Sequence, residues 1–152
     1  MTRRAFLVLL AGGVLAGASP AAALEKQPKA LSITTLQEIR GMLEKSMALQ
    51  QKALQMLDDR EGARKMVFDA YVPLRAAHAR MVIHMSHRKV QFPTYDVAYK
   101  QIQDARDRLL GARSALAYPL THVIKGETVE VITQKNIAEC TRLINFVLVT
   151  TF

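Results

Sequence analysis

The sequence predicts an all-α protein, an up-down antiparallel four-helix bundle that follows a cleaved signal peptide. Four segments have apolar residues at every third or fourth position, which is the period of an amphipathic helix. Short stretches with turn residues separate these segments, and helices with short links pack as antiparallel neighbours in a bundle. The predicted organisation is an export signal over residues 1–23, an extended segment over residues 24–34 and the bundle over residues 35–152.

The leader has the composition of an export signal. Arg3 and Arg4 precede an apolar run that extends from Ala5 to about Gly17, and small residues end at Ala23. A run of roughly thirteen apolar residues is shorter than the roughly twenty that span a bilayer, so cleavage is predicted rather than permanent anchoring. Residues 2–7, TRRAFL, resemble the twin-arginine signal. We therefore expect export to a bacterial periplasm or a thylakoid lumen.

The mature chain is predicted to be basic. Cleavage after Ala23 removes two of the 21 basic residues and none of the 13 acidic ones, so the net charge falls from +8 to +6. For an exported protein this charge favours an acidic protein partner or an anionic membrane surface. A nucleic-acid partner is not expected. A solvated basic surface without a partner is the alternative. Cys140 is the only cysteine, which excludes an intramolecular disulfide.

The first predicted helix begins with Thr35 and Glu38 as a capping box and ends near Asp58. Its apolar positions step by three or four residues except for one gap at Gln50. One face of this helix is therefore expected to be buried. The apolar positions are Leu36, Ile39, Leu43, Met47, Leu54 and Leu57.

The second predicted helix extends from about Glu61 to Val90 and contains Pro73. Proline lacks the amide hydrogen and crowds the carbonyl four residues earlier, so a kink or a break is expected there. The buried stripe is predicted to contain Val67, Tyr71, Leu74, His78, Met81 and Met85.

The third and fourth helices flank a turn around Pro119 and Gly126. Thr94 is the expected cap of the third helix, whose stripe is Ala98, Ile102, Ala105, Leu109, Ala112 and Leu116. The fourth helix is marked by Ile137, Cys140, Ile144 and Val147. A strand competes with it, because ETVEVIT alternates and FVLVTTF is rich in β-branched and aromatic residues. A lone hairpin would have little to pair with, which favours helix; residues 118–133 stay open between helix, loop and a short strand pair.

The stretch HARMVIHMSH, residues 78–87, concentrates three histidines and two methionines. At about 100° per residue, His78, Met81 and Met85 lie on the core stripe, whereas His84 and His87 lie on the flank and the outward face. Imidazole and thioether ligands suit copper, so the first three residues are a candidate copper site. The alternative is ordinary packing without a cofactor, since methionine fills irregular gaps in cores.

Two further metal interpretations involve residues of other helices. Cys140 is a candidate thiolate ligand from the fourth helix, although its position on an apolar stripe favours a buried, inert thiol. A b-type haem held by His78 and by either Met42 or Met47 is the other alternative, because four-helix bundles hold haem between facing helices.

The sequence favours a non-catalytic accessory or docking subunit of a larger membrane-associated assembly. It contains no phosphate-binding glycine loop, no Gly-x-Ser-x-Gly motif and no His-Glu-x-x-His motif. The second helix has seven basic residues against Glu61 and Asp69, spread around its circumference. The candidate partner-binding residues among them are Arg75, Arg80, Arg88 and Lys89.

The leader, the basic mature chain and the four helices interrupted near YVPLRAAHARMVIHM resemble the PsbQ-like extrinsic subunits of photosystem II. The resemblance extends over roughly residues 36–147 in architecture, and to specific residues only around Leu74, Arg75 and Ala76. It implies a lumenal four-helix bundle that docks on the photosystem and helps to retain its oxygen-evolving cofactors without chemistry of its own. It identifies no docking residue in this chain.

Overall fold

The computed structural model describes residues 32–88 and 93–152, and this part of the chain is mostly helical. The predicted all-α class is therefore confirmed. The predicted signal peptide lies outside the described residues. Within them, no helix is both long and apolar enough to cross a membrane. The elements are α1 (Ile33–Gln55), α2 (Arg60–Arg88), α3 (Pro93–Ala115), β1 (Val123–Ile124), β2 (Glu127–Thr128) and α4 (Val129–Thr150).

α1 begins earlier than its capping box predicted. Ser32 is the N-cap, and its hydroxyl oxygen accepts a hydrogen bond of 3.1 Å from the backbone N–H of Thr35. The predicted cap at Thr35 is therefore wrong, because Thr35 lies buried in the first turn. Glu38 forms an ion pair with Arg80 of α2 instead of closing a capping box.

α3 and α4 have well-defined starts. α3 begins at Pro93, so Thr94 lies inside the helix rather than before it. Proline suits the first helical position, where its missing N–H would have no intrahelical partner. Thr128 caps α4, and its side-chain oxygen accepts from the N–H of Val131 at 3.3 Å.

A small hairpin connects α3 to α4. Val123–Ile124 and Glu127–Thr128 pair antiparallel. Lys125 and Gly126 between them have φ values of 50° and 86°. Positive φ at both central residues is typical of a two-residue hairpin loop, and glycine adopts it without steric cost. ETVEVIT is thus divided, with its first two residues in a strand and the helix beginning at Val129.

The core lies between the four helices, and α1 packs on α2, α2 on α3, α3 on α4 and α4 on α1. The predicted stripes of the third and fourth helices are fully or almost fully buried. In α2 and α3, alanines seven residues apart alternate with larger side chains, which lets the helices approach closely while the core stays filled. These buried alanines are Ala63, Ala70 and Ala77 of α2 and Ala98, Ala105 and Ala112 of α3.

α2 continues through Pro73 as one helix, so the predicted break does not occur. The backbone carbonyl of Ala70, in the turn before the proline, accepts a hydrogen bond of 2.7 Å from the hydroxyl of Ser46. This bond comes from α1 and supplies a donor close to the place where proline removes one from α2.

A buried polar chain crosses three helices at the gap in the predicted α1 stripe. Gln50 is fully buried there. Its amide nitrogen donates to Ser46 at 3.1 Å, and its amide oxygen accepts from the hydroxyl of Thr141 at 3.0 Å. With the bond from Ser46 to Ala70, the chain joins α4 to α1 and α1 to α2. Buried polar groups are stable when they are hydrogen-bonded in this way.

Candidate functional site

Aromatic and basic side chains alternate along the contact between α2 and α3. A guanidinium over an aromatic ring gains a cation–π attraction, so these contacts fix the arginines of α3 beside α2. Three such contacts are present among the described residues. The rings of Tyr99 and His78 stack with centroids 4.6 Å apart, the guanidinium carbon of Arg106 lies 5.9 Å from the ring centroid of Tyr71, and that of Arg113 lies 4.5 Å from the ring centroid of Phe68.

His78 faces α3. A guanidinium nitrogen of Arg106 lies 3.0 Å from Nδ1 of His78. Because a guanidinium can only donate, Nδ1 accepts, and the proton of the neutral ring is on Nε2. Burial lowers the pKa of His78, the positive charge of Arg106 lowers it further, and Asp107 opposes both effects. Nε2 is buried and has no hydrogen-bond partner among the described residues.

The structure places the predicted copper ligands in different environments. Met81 is fully buried in the core, and Met85 packs partly buried against it. The side chains of His84 and His87 lie outside the described part of the chain. In that part, no three side chains among His, Cys, Asp and Glu are grouped to hold a metal ion. The copper site at His78, Met81 and Met85 stays a prediction.

Cys140 is fully buried in α4. Burial raises the pKa of its thiol to about 12, and a hydrogen bond with Gln50 opposes the shift. A thiol with this pKa stays protonated at neutral pH, and the protonated form is neither a good nucleophile nor a metal ligand. The sequence-based expectation of a buried Cys140 is confirmed.

The structure divides the basic residues of α2 into paired and unpaired ones. Three have partners within the chain: Arg60 donates to the carbonyl of Ala117 at 3.1 Å, Lys65 pairs with Asp69 at 3.0 Å, and Arg80 pairs with Glu38. Arg64 and Arg75 form no ion pair with any residue that the structure describes. Of the predicted partner-binding residues, Arg75 therefore has no ion-pair partner among the described residues, whereas Arg80 is engaged. The side chains of Arg88 and Lys89 lie outside the described residues.

α2 has a second apolar face, opposite to the buried one. It is formed by Phe68, Val72, Ala76, Ala79 and Ile83, which we call the outer stripe. Their spacing places them within an arc of about 80° on the helix. Val72 and Ile83 are 51% and 52% exposed. A bundle helix normally turns a polar face to water, so this exposed apolar stripe is the feature of the surface that most resembles a binding site.

Two adjoining hollows follow the outer stripe and share Phe68. Arg75 borders the first and Arg64 the second, so these two arginines lie along the same groove, on its α3 side. The first hollow, of about 320 Å³, is lined by Phe68, Tyr71, Val72, Arg75, Ala76 and Ala79. The second, of about 250 Å³, is lined by Glu61, Arg64, Lys65, Phe68 and Arg113.

The outer stripe was not predicted, because the apolar residues of the segment were assigned to a single core face. The signal was present in the spacing, since positions 68, 72, 76, 79 and 83 follow the helical period as closely as the buried positions do. Arg106 and Arg113 carried no such signal, because only the packing of α3 on α2 shows which arginines meet aromatic rings.

A larger groove of about 600 Å³ lies between α3 and α4. Its lining has charges of both signs, and Arg142 donates two hydrogen bonds, of 2.9 and 2.6 Å, to the carboxylate of Glu139. These bonds lower the pKa of Glu139. The lining of the groove contains three carboxylates and two guanidinium groups, so this groove has no excess of positive charge for an acidic partner.

Comparison with protein-family models, with curated proteins and with solved structures gives no match.

Proposed function

We propose that the chain is exported, loses residues 1–23 and serves as a non-catalytic accessory subunit that docks through α2 on a larger membrane-associated assembly. The observation that carries the proposal is the outer stripe beside the unpaired Arg64 and Arg75. Exposed apolar area favours protein contact, and unpaired guanidinium groups favour a partner with carboxylates. The proposed partner is therefore an acidic protein, and an anionic membrane surface is the alternative.

We propose an up-down antiparallel bundle as the architecture of this subunit. Contacts between neighbouring helices support it, because residue numbers rise along one helix as they fall along the next. Such pairs are Glu38 with Arg80 and Ser46 with Ala70 between α1 and α2, His78 with Tyr99 and Phe68 with Arg113 between α2 and α3, and Arg40 with Phe152 and Gln50 with Thr141 at the contact of α1 with the C-terminal part of the chain.

The location rests on the leader sequence. Arg3, Arg4 and the apolar run after them support export, and the twin-arginine pattern supports a bacterial periplasm or a thylakoid lumen. The resemblance to PsbQ-like subunits favours photosystem II as the assembly. In either compartment the net positive charge of the mature chain would strengthen its encounter with an acidic surface.

Retention of the protein on membranes from its own host tests the proposal. The tagged full chain is expressed in the host, and isolated membranes are washed with increasing NaCl. We expect leader cleavage, retention at low salt and release at moderate salt, because ions screen contacts between exposed charges. The double variant Arg64→Glu/Arg75→Glu should be released at lower salt than wild type.

The matched control is Lys45→Glu/Lys100→Glu, which makes the same change in net charge on α1 and α3. Both lysines are exposed, and we expect this variant to be retained like wild type. An uncleaved protein in the cytoplasm, or retention that neither salt nor the α2 variant changes, would overturn the proposal.

A further inference from the structure

The outer stripe has the length and the side-chain sizes of a helix-binding surface. From Phe68 to Ile83 it covers fifteen steps of α2, which at about 1.5 Å per residue is about 22 Å, or four helical turns. Ala76 and Ala79 occupy its middle, and larger apolar side chains lie on either side of them along the helix. Small central residues allow a second helix to approach closely, and the larger ones pack into its grooves.

The arginines without an ion pair among the described residues lie along one edge of the outer stripe. Arg64 and Arg75 are eleven residues apart, which places them on the same edge, about 16 Å apart along the axis. Arg113 reaches that edge from α3 through its contact with Phe68. On the opposite edge, Lys65 and Arg80 already have the carboxylate partners described above. Glu61 is the acidic residue in the lining of the second hollow. The groove therefore has an excess of positive charge on its α3 side, where Arg64, Arg75 and Arg113 lie.

We propose that the outer stripe binds an amphipathic α-helix of a partner protein. The apolar face of that helix covers Val72, Ala76 and Ala79, and two acidic residues about eleven positions apart on one edge pair with Arg64 and Arg75. The inference rests on the proposed docking function and adds to it the chemistry and secondary structure of the partner segment.

A second copy of this chain fits the groove less well. Laid antiparallel on the stripe, a copy brings its own Arg64 and Arg75 against the same two residues, which repel. Laid parallel, it presents the edge where Asp69 already pairs with Lys65. Glu61 is the one carboxylate of the groove lining that a copy would bring. Each copy would still bring more guanidinium groups than carboxylates to the contact.

A lipid surface also fits less well. Helices that lie in a membrane interface use large side chains such as Leu, Phe and Trp to enter the acyl region. Here the middle of the stripe consists of Ala76 and Ala79, and the opposite face of α2 is committed to the core of the domain. Small residues at the centre of a groove favour contact with a helix rather than insertion.

A synthetic peptide of eighteen residues provides the probe. It forms a helix with Leu and Ala on one face and two Glu residues eleven positions apart on one edge. One control peptide has the same composition in shuffled order, and a second has both Glu residues replaced by Lys. Binding to the protein purified from its host is measured by fluorescence anisotropy at two NaCl concentrations.

We expect the acidic amphipathic peptide to bind, the shuffled and Lys peptides to bind at least about tenfold more weakly, and salt to weaken binding. Val72→Glu and Arg75→Glu should each lower the affinity at least about tenfold. Val149→Glu, at a valine of α4 that is 85% exposed, and Lys45→Glu are the matched controls and should bind like wild type. Circular dichroism checks that each variant keeps its helical content, and Arg64→Glu replaces any that does not.

Equal binding of the shuffled peptide, or equal loss in Val149→Glu and Val72→Glu, would overturn the inference. The inference would also be overturned if the peptide does not bind and the outer stripe is used in another way. In that case the protein would associate with itself or bind anionic phosphatidylserine vesicles, and Val72→Glu would abolish that binding. Retention of the Val72→Glu protein on host membranes like wild type, with release of both proteins by salt, would support the docking function. The same result would contradict the inference that the partner segment is a helix bound to the outer stripe. If wild type is not retained at all, the docking function falls.

Discussion

Arg113 of α3 lies over the ring of Phe68 of α2, with its guanidinium carbon 4.5 Å from the ring centroid. Phe68 is also the first residue of the outer stripe, so one side chain takes part both in the α2–α3 contact and in the exposed groove. The Nε atom of Arg113 is buried without a partner among the described residues. The contact therefore adds a third positive charge to the edge that contains Arg64 and Arg75.

Substitution of Gln50 measures how much the buried polar chain contributes to the free energy of unfolding. Gln50→Ala removes the partner of both Ser46 and Thr141 and leaves a cavity in the core. We expect the free energy of unfolding to fall by about 2 to 4 kcal/mol, from the lost hydrogen bonds and the lost packing. Urea denaturation measures it. Gln51→Ala, at the adjacent exposed position, should change stability by less than about 0.5 kcal/mol, and an equal effect of the two variants would contradict the account.

The pKa of His78 predicts a loss of stability in weak acid. The folded protein holds this pKa below its ordinary value of 6.5, so the unfolded chain takes up the proton first as the pH falls. The contribution of His78 is therefore fully present above about pH 6.5 and decreases as the pH falls towards the folded-state pKa.

Urea midpoints between pH 7.5 and 5.5 check this expectation. His78→Asn keeps an oxygen that can accept from Arg106 but cannot be protonated in this range, so its midpoint should depend less on pH than that of wild type. His122→Asn, at an exposed position between α3 and β1, should behave like wild type. Identical pH profiles for His78→Asn and wild type would show that His78 is not the group responsible.

Cys140 should be unreactive in the folded protein. Its burial and its pKa of about 12 leave almost no accessible thiolate at pH 8. We expect a thiol reagent such as 5,5′-dithiobis(2-nitrobenzoic acid) to modify it slowly in buffer and rapidly in 6 M urea. Rapid modification without denaturant would place the thiol at the surface.

The buried face of a helix was predictable where the apolar spacing was regular. The six predicted core residues of the third helix, from Ala98 to Leu116, are all buried because no polar residue interrupts their period. In α1, the polar residues Ser46 and Gln50 are buried, although the apolar spacing did not place them on the buried face. Their partners are on other helices, at Ala70 and Thr141, and no local pattern shows them.

The candidate site was predictable only in part. The sequence indicated α2 and Arg75, but it selected Arg80 and left out Arg64. Arg80 is engaged because it pairs with Glu38 of α1, and no local pattern shows that contact. A helix that is apolar on two faces is ambiguous until its neighbours are known. The packing of α1 and α3 decides which face is buried and leaves the other as the outer stripe.

Metal analysis tests the copper interpretation. Arg106 engages Nδ1 of His78 and leaves only Nε2 to bind a metal. Because Met81 and Met85 pack as ordinary core side chains, we expect no tightly bound copper in protein purified from its host and dialysed. The variant Met81→Leu/Met85→Leu, which nearly conserves volume, should give the same result and keep its helical content. Stoichiometric copper in wild type that is lost in this variant would establish the site at His78, Met81 and Met85.

Photo-crosslinking in the host tests the docking face most directly. p-Benzoylphenylalanine is placed at Val72 of the outer stripe or at Val149 of α4, both of which are exposed. We predict that position 72 gives an adduct with one protein, that the adduct maps to an acidic amphipathic helix, and that Arg64→Glu/Arg75→Glu abolishes it. Adducts from position 149 but not from 72, or adducts from 72 with a second copy of this chain, would contradict the account.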